Sequence, residues 1–262
     1  MFPFRNILFP TDSSVNSEAA LQYANAFARH GHGSVVSLSV QDAKEIEQAA
    51  IDQDIDLITV ALRDRNLLTR AFGSSLAEDI IAESPCAVLA IRPPQRDFIN
   101  GESEIQLKRV LLATNFRPSS VAATQLATQM ANQLGAELHA VYVIGDYFEQ
   151  ISFMFPEGGL AALTRLRSYV QERMANLSRG GGATHISEGR PYQEIVKLAD
   201  TLQADLIVIG TAVHGSLFGS SHVLGSETER VIRNAPCPVL CVPAARVVTP
   251  LPALVTQIVP QT

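Results

Sequence analysis

Four short segments occur twice in this 262-residue chain, in the same order, and that repeat constrains the fold more than any other feature. Asn6-Ile-Leu-Phe-Pro-Thr-Asp12 corresponds to Arg109-Val-Leu-Leu-Ala-Thr-Asn115, an apolar run closed by Thr and a polar residue. Each is followed by an Ala-rich amphipathic stretch, Ser17 to Arg29 and Ser120 to Leu134, with Gly31 or Gly135 as the expected stop. Asp54 to Leu62 then corresponds to Gln203 to Thr211, and Ser84-Pro-Cys86 with its apolar run corresponds to Ala235-Pro-Cys237. Two copies of one supersecondary plan are implied.

Within each copy, Val- and Ile-rich runs alternate with helical periodicity. This predicts an α/β fold whose mostly parallel sheet is flanked by helices, because parallel strands need crossover helices on both faces. In the second half the patterns place strands at 109–114, 137–143, 184–187, 205–210 and 238–242, and helices at 119–134, 158–178, 191–203 and 225–234. Pro191 suits a first helical turn, where its missing N–H is not needed. Between Val40 and Asp54 the first half has room for one helix, where the second fits a helix, a strand and another helix. The first half is thus an abridged copy of about four strands against about five. The boundaries read as domains over 1–93 and 108–243, a polar linker over 94–107, and a Pro-bearing tail over 244–262.

A formal net charge of -6 without a Lys/Arg cluster gives no footprint for nucleic acid. No apolar run approaches the ~20 residues of a membrane helix, and the N-terminus lacks the layout of a secretory signal. Three cysteines, Cys86, Cys237 and Cys241, make neither a disulfide framework nor a four-ligand metal site, so a reducing cytoplasm is the expected setting. Cys237 and Cys241 share one face of a strand and read as core.

In an open parallel sheet, ligands gather beyond the carboxyl ends of the strands. The richest such loop runs from Ile209 through Gly210, Thr211, His214, Gly215, Gly219 and His222 to Gly225, Ser226 and Glu227. Its glycines admit a close ligand, and the helix opening at Gly225-Ser226 offers free N–H groups to an anion. Ser226 reads as the helix cap. His214 and His222 have no carboxylate or cysteine partner, and the bland reading of them is solvated loop residues.

At this loop the chain resembles the universal stress protein family, in its nucleotide-binding branch. That family's loop reads Gly, two residues, Gly, nine residues, Gly, then Ser or Thr. Here Gly215 is followed by nine residues and Gly225-Ser226, whereas four residues separate Gly210 from Gly215. The resemblance implies two tandem domains of Rossmann-like type and ATP, with or without Mg2+, as ligand. It implies nucleotide contacts from Thr114, Asn115, Val141, Gly210, Thr211, His214, Gly215, Gly225, Ser226 and Glu227, with no catalytic residue and no protein metal site. The family's Asp after the first strand is matched by Asp12, but Asn115 stands there in the second half. In the first half Ala61 replaces Gly210, and Asp64 lies near the family's second glycine, where a carboxylate repels phosphate unless Arg63 or Arg65 masks it. Nucleotide binding is therefore expected in the second half only.

Two functions follow as expectations. One is a nucleotide-sensing, non-enzymatic regulatory module in stress response, with slow ATP hydrolysis left open. The other is a ligand-free scaffold acting through protein contacts, with Tyr147 to Phe155 as lid, core cover or interaction patch. A homodimer is compatible with either. The resemblance also implies that the short apolar final strand of each half lies at a sheet edge and pairs as across the family's dimer; pairing the two with each other would cover an apolar edge and bring Cys86 and Cys237 near a pseudo-twofold axis.

Overall fold

The computed structural model describes residues 1–11, 15–39, 42–62, 76–92, 95–146, 156–211 and 225–244, with backbone alone at 15–17 and 156–157. The first half runs β1 (Asn6–Thr11), α1 (Val15–Gly31), β2 (Ser34–Ser39), α2 (Ala43–Asp52), β3 (Leu57–Ala61), α3 (Leu76–Glu83) and β4 (Ala87–Ile91). The second runs β5 (Arg109–Ala113), α4 (Pro118–Leu134), β6 (Glu137–Gly145), α5 (Pro156–Arg179), β7 (Ala183–Gly189), α6 (Pro191–Thr201), β8 (Leu206–Thr211), α7 (Ser226–Asn234) and β9 (Val239–Pro243).

All nine strands form one sheet in the order β2-β1-β3-β4-β9-β8-β5-β6-β7. Within each half every pairing is parallel, and the halves join where β4 and β9 pair antiparallel, Leu89 opposite Leu240. The expected pairing of the final strands is thus present. The register corrects the cysteine expectation: the pseudo-twofold passes through Leu89 and Leu240, and Cys241 faces Val88. Cys86 and Cys237 precede their strands and lie at opposite ends of the junction, because antiparallel pairing separates residues that share a position from the strand start.

One core lies on each sheet face, and both run through the junction into the two halves. One face carries α2, α3, α6 and α7 through residues such as Ile46, Ile80, Ile195 and Val231. The other carries α1, α4 and α5 through Phe27, Met130 and Val170. The central strands β3, β4, β8 and β9 are buried almost throughout, as coverage on both faces demands. Across the junction, Arg233 of α7 meets Glu78 of α3 at 2.6 Å, while Glu229 of its own helix holds it at 2.7 Å.

The abridgement has a residue-level signature. Among the described residues the first half has no counterparts of α5 and β7, so on that side β2 meets α1 alone. With Asn6 equivalent to Arg109, the registers match Ser37 and Ser39 of β2 with Ala140 and Tyr142 of β6. Both serines are exposed, whereas Ala140 is 3% exposed beneath its helix. Polar side chains stand where apolar ones would face water.

The two expected helix stops differ in outcome. Gly135 adopts the left-handed conformation at the end of α4 (φ 66°), as its position predicts. After α1 that role falls to His32 (φ 52°), and Gly31 serves close approach, since a Cβ there would lie 2.0 Å from the Phe4 carbonyl oxygen. The polar segment before β5 also packs: Phe98 is 2% exposed and meets Tyr23 edge-on at 4.9 Å. Beside it Tyr23 Oη donates to Asp97 at 2.5 Å, and Arg96 reaches the other half at Pro236 and Asp200.

Thr59, in the middle of β3, is fully buried and its hydroxyl has no hydrogen-bond partner among the described residues. The equivalent position in the second half is Val208. A buried unpaired hydroxyl costs about 1–3 kcal/mol, so Thr59→Val is expected to stabilise the protein by roughly 1 kcal/mol. A higher urea midpoint at unchanged slope is the predicted readout; an unchanged or lower midpoint contradicts it.

Candidate functional site

In the second half the strand order reverses between β5 and β8: from β5 the chain moves outward to β6 and β7, then returns to β8 on the other side. The crevice beyond the carboxyl ends of these two strands is the natural ligand position. Thr114 and Asn115 leave β5 at this rim, and Gly210 and Thr211 end β8 beside it.

The β5–α4 turn is held by its own side chains. Thr114 N–H donates to the Val141 carbonyl at 3.0 Å, so Val141, 1% exposed, fixes the turn through its backbone. The Thr114 hydroxyl accepts from Phe116 N–H at 3.2 Å. Asn115 Oδ1 accepts from Arg117 N–H at 3.0 Å and from the Ser120 hydroxyl at 2.6 Å. Its Nδ2 makes no hydrogen bond among the described residues, so the group Asn115 has left to offer at this rim is a donor. An Asp in that place would meet it only as an acceptor. Phe116 takes a left-handed conformation (φ 58°) and stacks on Tyr142 at 5.3 Å.

Gly210 has a packing role that the spacing of the loop did not reveal. A Cβ there would lie 2.3 Å from the Ser119 carbonyl oxygen, because the first turn of α4 crosses β8 at contact distance. The signal was present in Ser119 and Ser120, two buried hydroxyl residues opening the helix, 7% and 4% exposed.

Three helices, α4, α6 and α7, begin at this rim. Their first N–H groups lack intrahelical partners, and the helix dipole gives each start a partial positive charge. The start of α6 is already taken: Glu227 Oε2 accepts from Tyr192 N–H at 3.0 Å while Oε1 holds Arg230 at 3.1 Å. Glu227 is therefore a cap for the neighbouring helix. The starts of α4 and α7 have no side-chain cap. Here the cap expectation is corrected, for the cap position is Gly225 and Ser226 is the first helical residue, exposed and without a capping bond. Among the described residues the nearest atom to a Cβ at Gly225 is Thr228 Oγ1 at 3.9 Å. His214, Gly215, His222, Asp12 and the loop at 63–75 lie outside the described residues, as do Tyr147 to Phe155.

The remaining reactive groups do not form a second centre. Burial pushes the Cys237 thiol up to about 12 and raises Cys241 as well, and both are 1% exposed, in keeping with core packing. Among the described residues no group of three His, Cys, Asp or Glu side chains could hold a metal, and no helix is long and apolar enough to cross a membrane.

On β6 and β7, away from the rim, His139 Nδ1 and His185 Nε2 lie 3.2 Å apart, with Glu137 at 3.6 Å from His139. Burial, and then the neighbouring His139, pull the His185 imidazole below 6.5. The unfolded chain then binds more protons than the folded one, so this contribution is complete above the unfolded value and is lost as pH falls through the folded one. Stability is expected to decline as pH drops below about 6.5, with a shallower decline in His185→Gln. Identical pH profiles of the two melting temperatures would refute this assignment.

Comparison with known proteins places this architecture. The model of the universal stress protein family matches residues 34–92 and 106–243. Universal stress protein MJ0531 of Methanocaldococcus jannaschii is 34% identical over 153 residues, covering 55% of this chain and 85% of that protein. A Thermus aquaticus universal stress protein, encoded in the QAH/OAS sulfhydrylase 3' region, is 33% identical over 138 residues, covering 52% of this chain and 98% of its own. Among solved structures, a universal stress protein from Archaeoglobus fulgidus aligns with TM-score 0.61 at 19% identity, over 91% of this chain and 98% of that one.

Proposed function

Because this chain belongs to the universal stress protein family, we infer that it is a nucleotide-binding regulatory module with one ATP site per chain, in the second half. The observation that carries this reading is the start of α7 at Gly225, which no side chain among the described residues caps, on the same rim as the strand-order reversal. Phosphates would accept hydrogen bonds from the first N–H groups of α7, where the helix dipole favours negative charge. Asn115 Nδ2 would serve the sugar or base. Any Mg2+ would be held by the phosphates and water, in keeping with the usual binding of this ion.

The role is that of a sensor. Bound nucleotide would hold the loop between Gly210 and Ser226 in one arrangement, and partners would read that surface. The reading includes no catalytic step, since it assigns no nucleophile or acid–base pair.

The test is titration of the purified full chain with a fluorescent ATP analogue. Saturable binding at micromolar concentration, with a stoichiometry of one, is the expected result. Two sites per chain would reject the assignment to one half, and no binding at millimolar ATP would reject the nucleotide reading. That last outcome would leave the ligand-free adaptor, which draws its support from the exposed Leu160, Tyr169 and Ile186.

A further inference from the structure

Among the described residues the nine-stranded sheet ends at β2 and β7, neither of which pairs on its outer side. An open edge presents a row of unpaired N–H and C=O groups, which proteins ordinarily guard with lysine, proline or a bulge. Neither strand carries a lysine or a proline. The one carboxylate of β7, Glu188, is held by Arg167 at 2.8 Å.

The two edges differ in apolar surface. On β2 the exposed positions are Ser34, Ser37 and Ser39. Among the described residues the exposed large hydrophobic side chains are Met1, Ile51, Leu160, Tyr169 and Ile186, and the last three belong to α5 and β7, the pair the first half lacks. Ile186 is 42% exposed and opens onto a groove of about 660 Å³ between β7 and α5, lined in part by Gln171, Met174, Ala175 and Arg179.

We propose that β7 pairs antiparallel with β7 of a second copy of this chain, about a twofold axis through Ile186, so that one sheet continues across both molecules. In that register Ile186 faces its equivalent, His185 faces Ser187, and Thr184 faces Glu188. No two like charges stand directly opposite, an arrangement that would otherwise be destabilising. The paired Ile186 Cα atoms lie about 5 Å apart, and each covers the other. The two α5 grooves merge into one trough, with the Arg179 end of one facing the Gln171 end of the other. The chain already closes an edge in this way at β4–β9, antiparallel and centred on Leu89 and Leu240. Such a contact uses the same patch twice and closes at two copies.

Sedimentation velocity of the full chain across the micromolar range tests this. The wild type is expected to sediment with twice the chain mass. Ile186→Lys places two ammonium groups at the axis and is expected to weaken association roughly a hundredfold or more with unchanged circular dichroism. Ser37→Lys, on the opposite edge, leaves the dimer intact. Since the three native cysteines are buried, oxidation of Ile186→Cys is expected to give a disulfide-linked dimer, a readout that stands even if the lysine variant unfolds. A wild type that stays monomeric, a dimer that survives Ile186→Lys, dissociation by Ser37→Lys, or no crosslinked Ile186→Cys dimer each overturns the proposal.

Discussion

Gly210→Ala is expected to destabilise the protein by about 1–3 kcal/mol, measured as a lower urea midpoint, with or without nucleotide. In an unstrained strand the same change would be neutral or favourable, because alanine restricts the unfolded chain by about 0.4–1 kcal/mol. Sterics decide the sign here. The new Cβ would lie 2.3 Å from the Ser119 oxygen and 2.6 Å from its carbonyl carbon, backbone atoms that cannot rotate away, so the start of α4 has to move. That movement would disturb Asn115 too, since Ser120 in the same turn binds it. The loss of stability and a weaker nucleotide site are therefore coupled. The first half supplies the control. Ala61→Gly, at the equivalent place on β3, is expected to cost only the roughly 0.5–1 kcal/mol of added backbone freedom. If Gly210→Ala keeps wild-type stability and loses only binding, the glycine exists for the ligand and the packing account is wrong.

Gly210 also shows how far the sequence could be read. Helix and strand positions followed from apolar periodicity, and the abridgement from segment length, because both are properties of contiguous residues. The pairing of β4 with β9, a contact between distant segments, was readable only with the family resemblance, which puts these two apolar runs at edges that pair. The cysteine positions were not, since they depend on the register, which Leu89 and Leu240 set. Phe98 was hidden in a polar segment: a single aromatic anchor has no periodicity to betray it, and it is buried against Tyr23 and Phe27 of a distant helix. Glu227 looked like part of the ligand loop because it follows Gly225-Ser226. Its partner, Tyr192 N–H, is 35 residues away, and only the packing of α6 on α7 brings them together. In each case the legible part was local, and the missed part was a contact between elements far apart in the chain.

Gly225→Asp separates ligand binding from folding. Gly225 has φ −58° and ψ 132°, a conformation open to any residue, and the described residues around it leave room for a side chain. Asp is among the preferred residues at the cap position, where its carboxylate accepts from the second or third N–H of the helix, here Glu227 or Thr228. Relative to glycine that is worth a few tenths of a kcal/mol. The helix dipole adds a favourable contribution, limited by Glu227 and Glu229 already present in the first turn. Folding stability is thus expected to rise slightly. Phosphate binding would need those same N–H groups, and the new carboxylate both occupies them and repels the ligand. ATP affinity is expected to fall at least ~100-fold, about 2.7 kcal/mol. A structural defect would move the two measurements in the same direction, whereas competition between carboxylate and phosphate for one helix start moves them apart. Unchanged affinity in a stably folded variant would remove the start of α7 from the site, and a lower melting temperature would mean that the cap position tolerates no side chain.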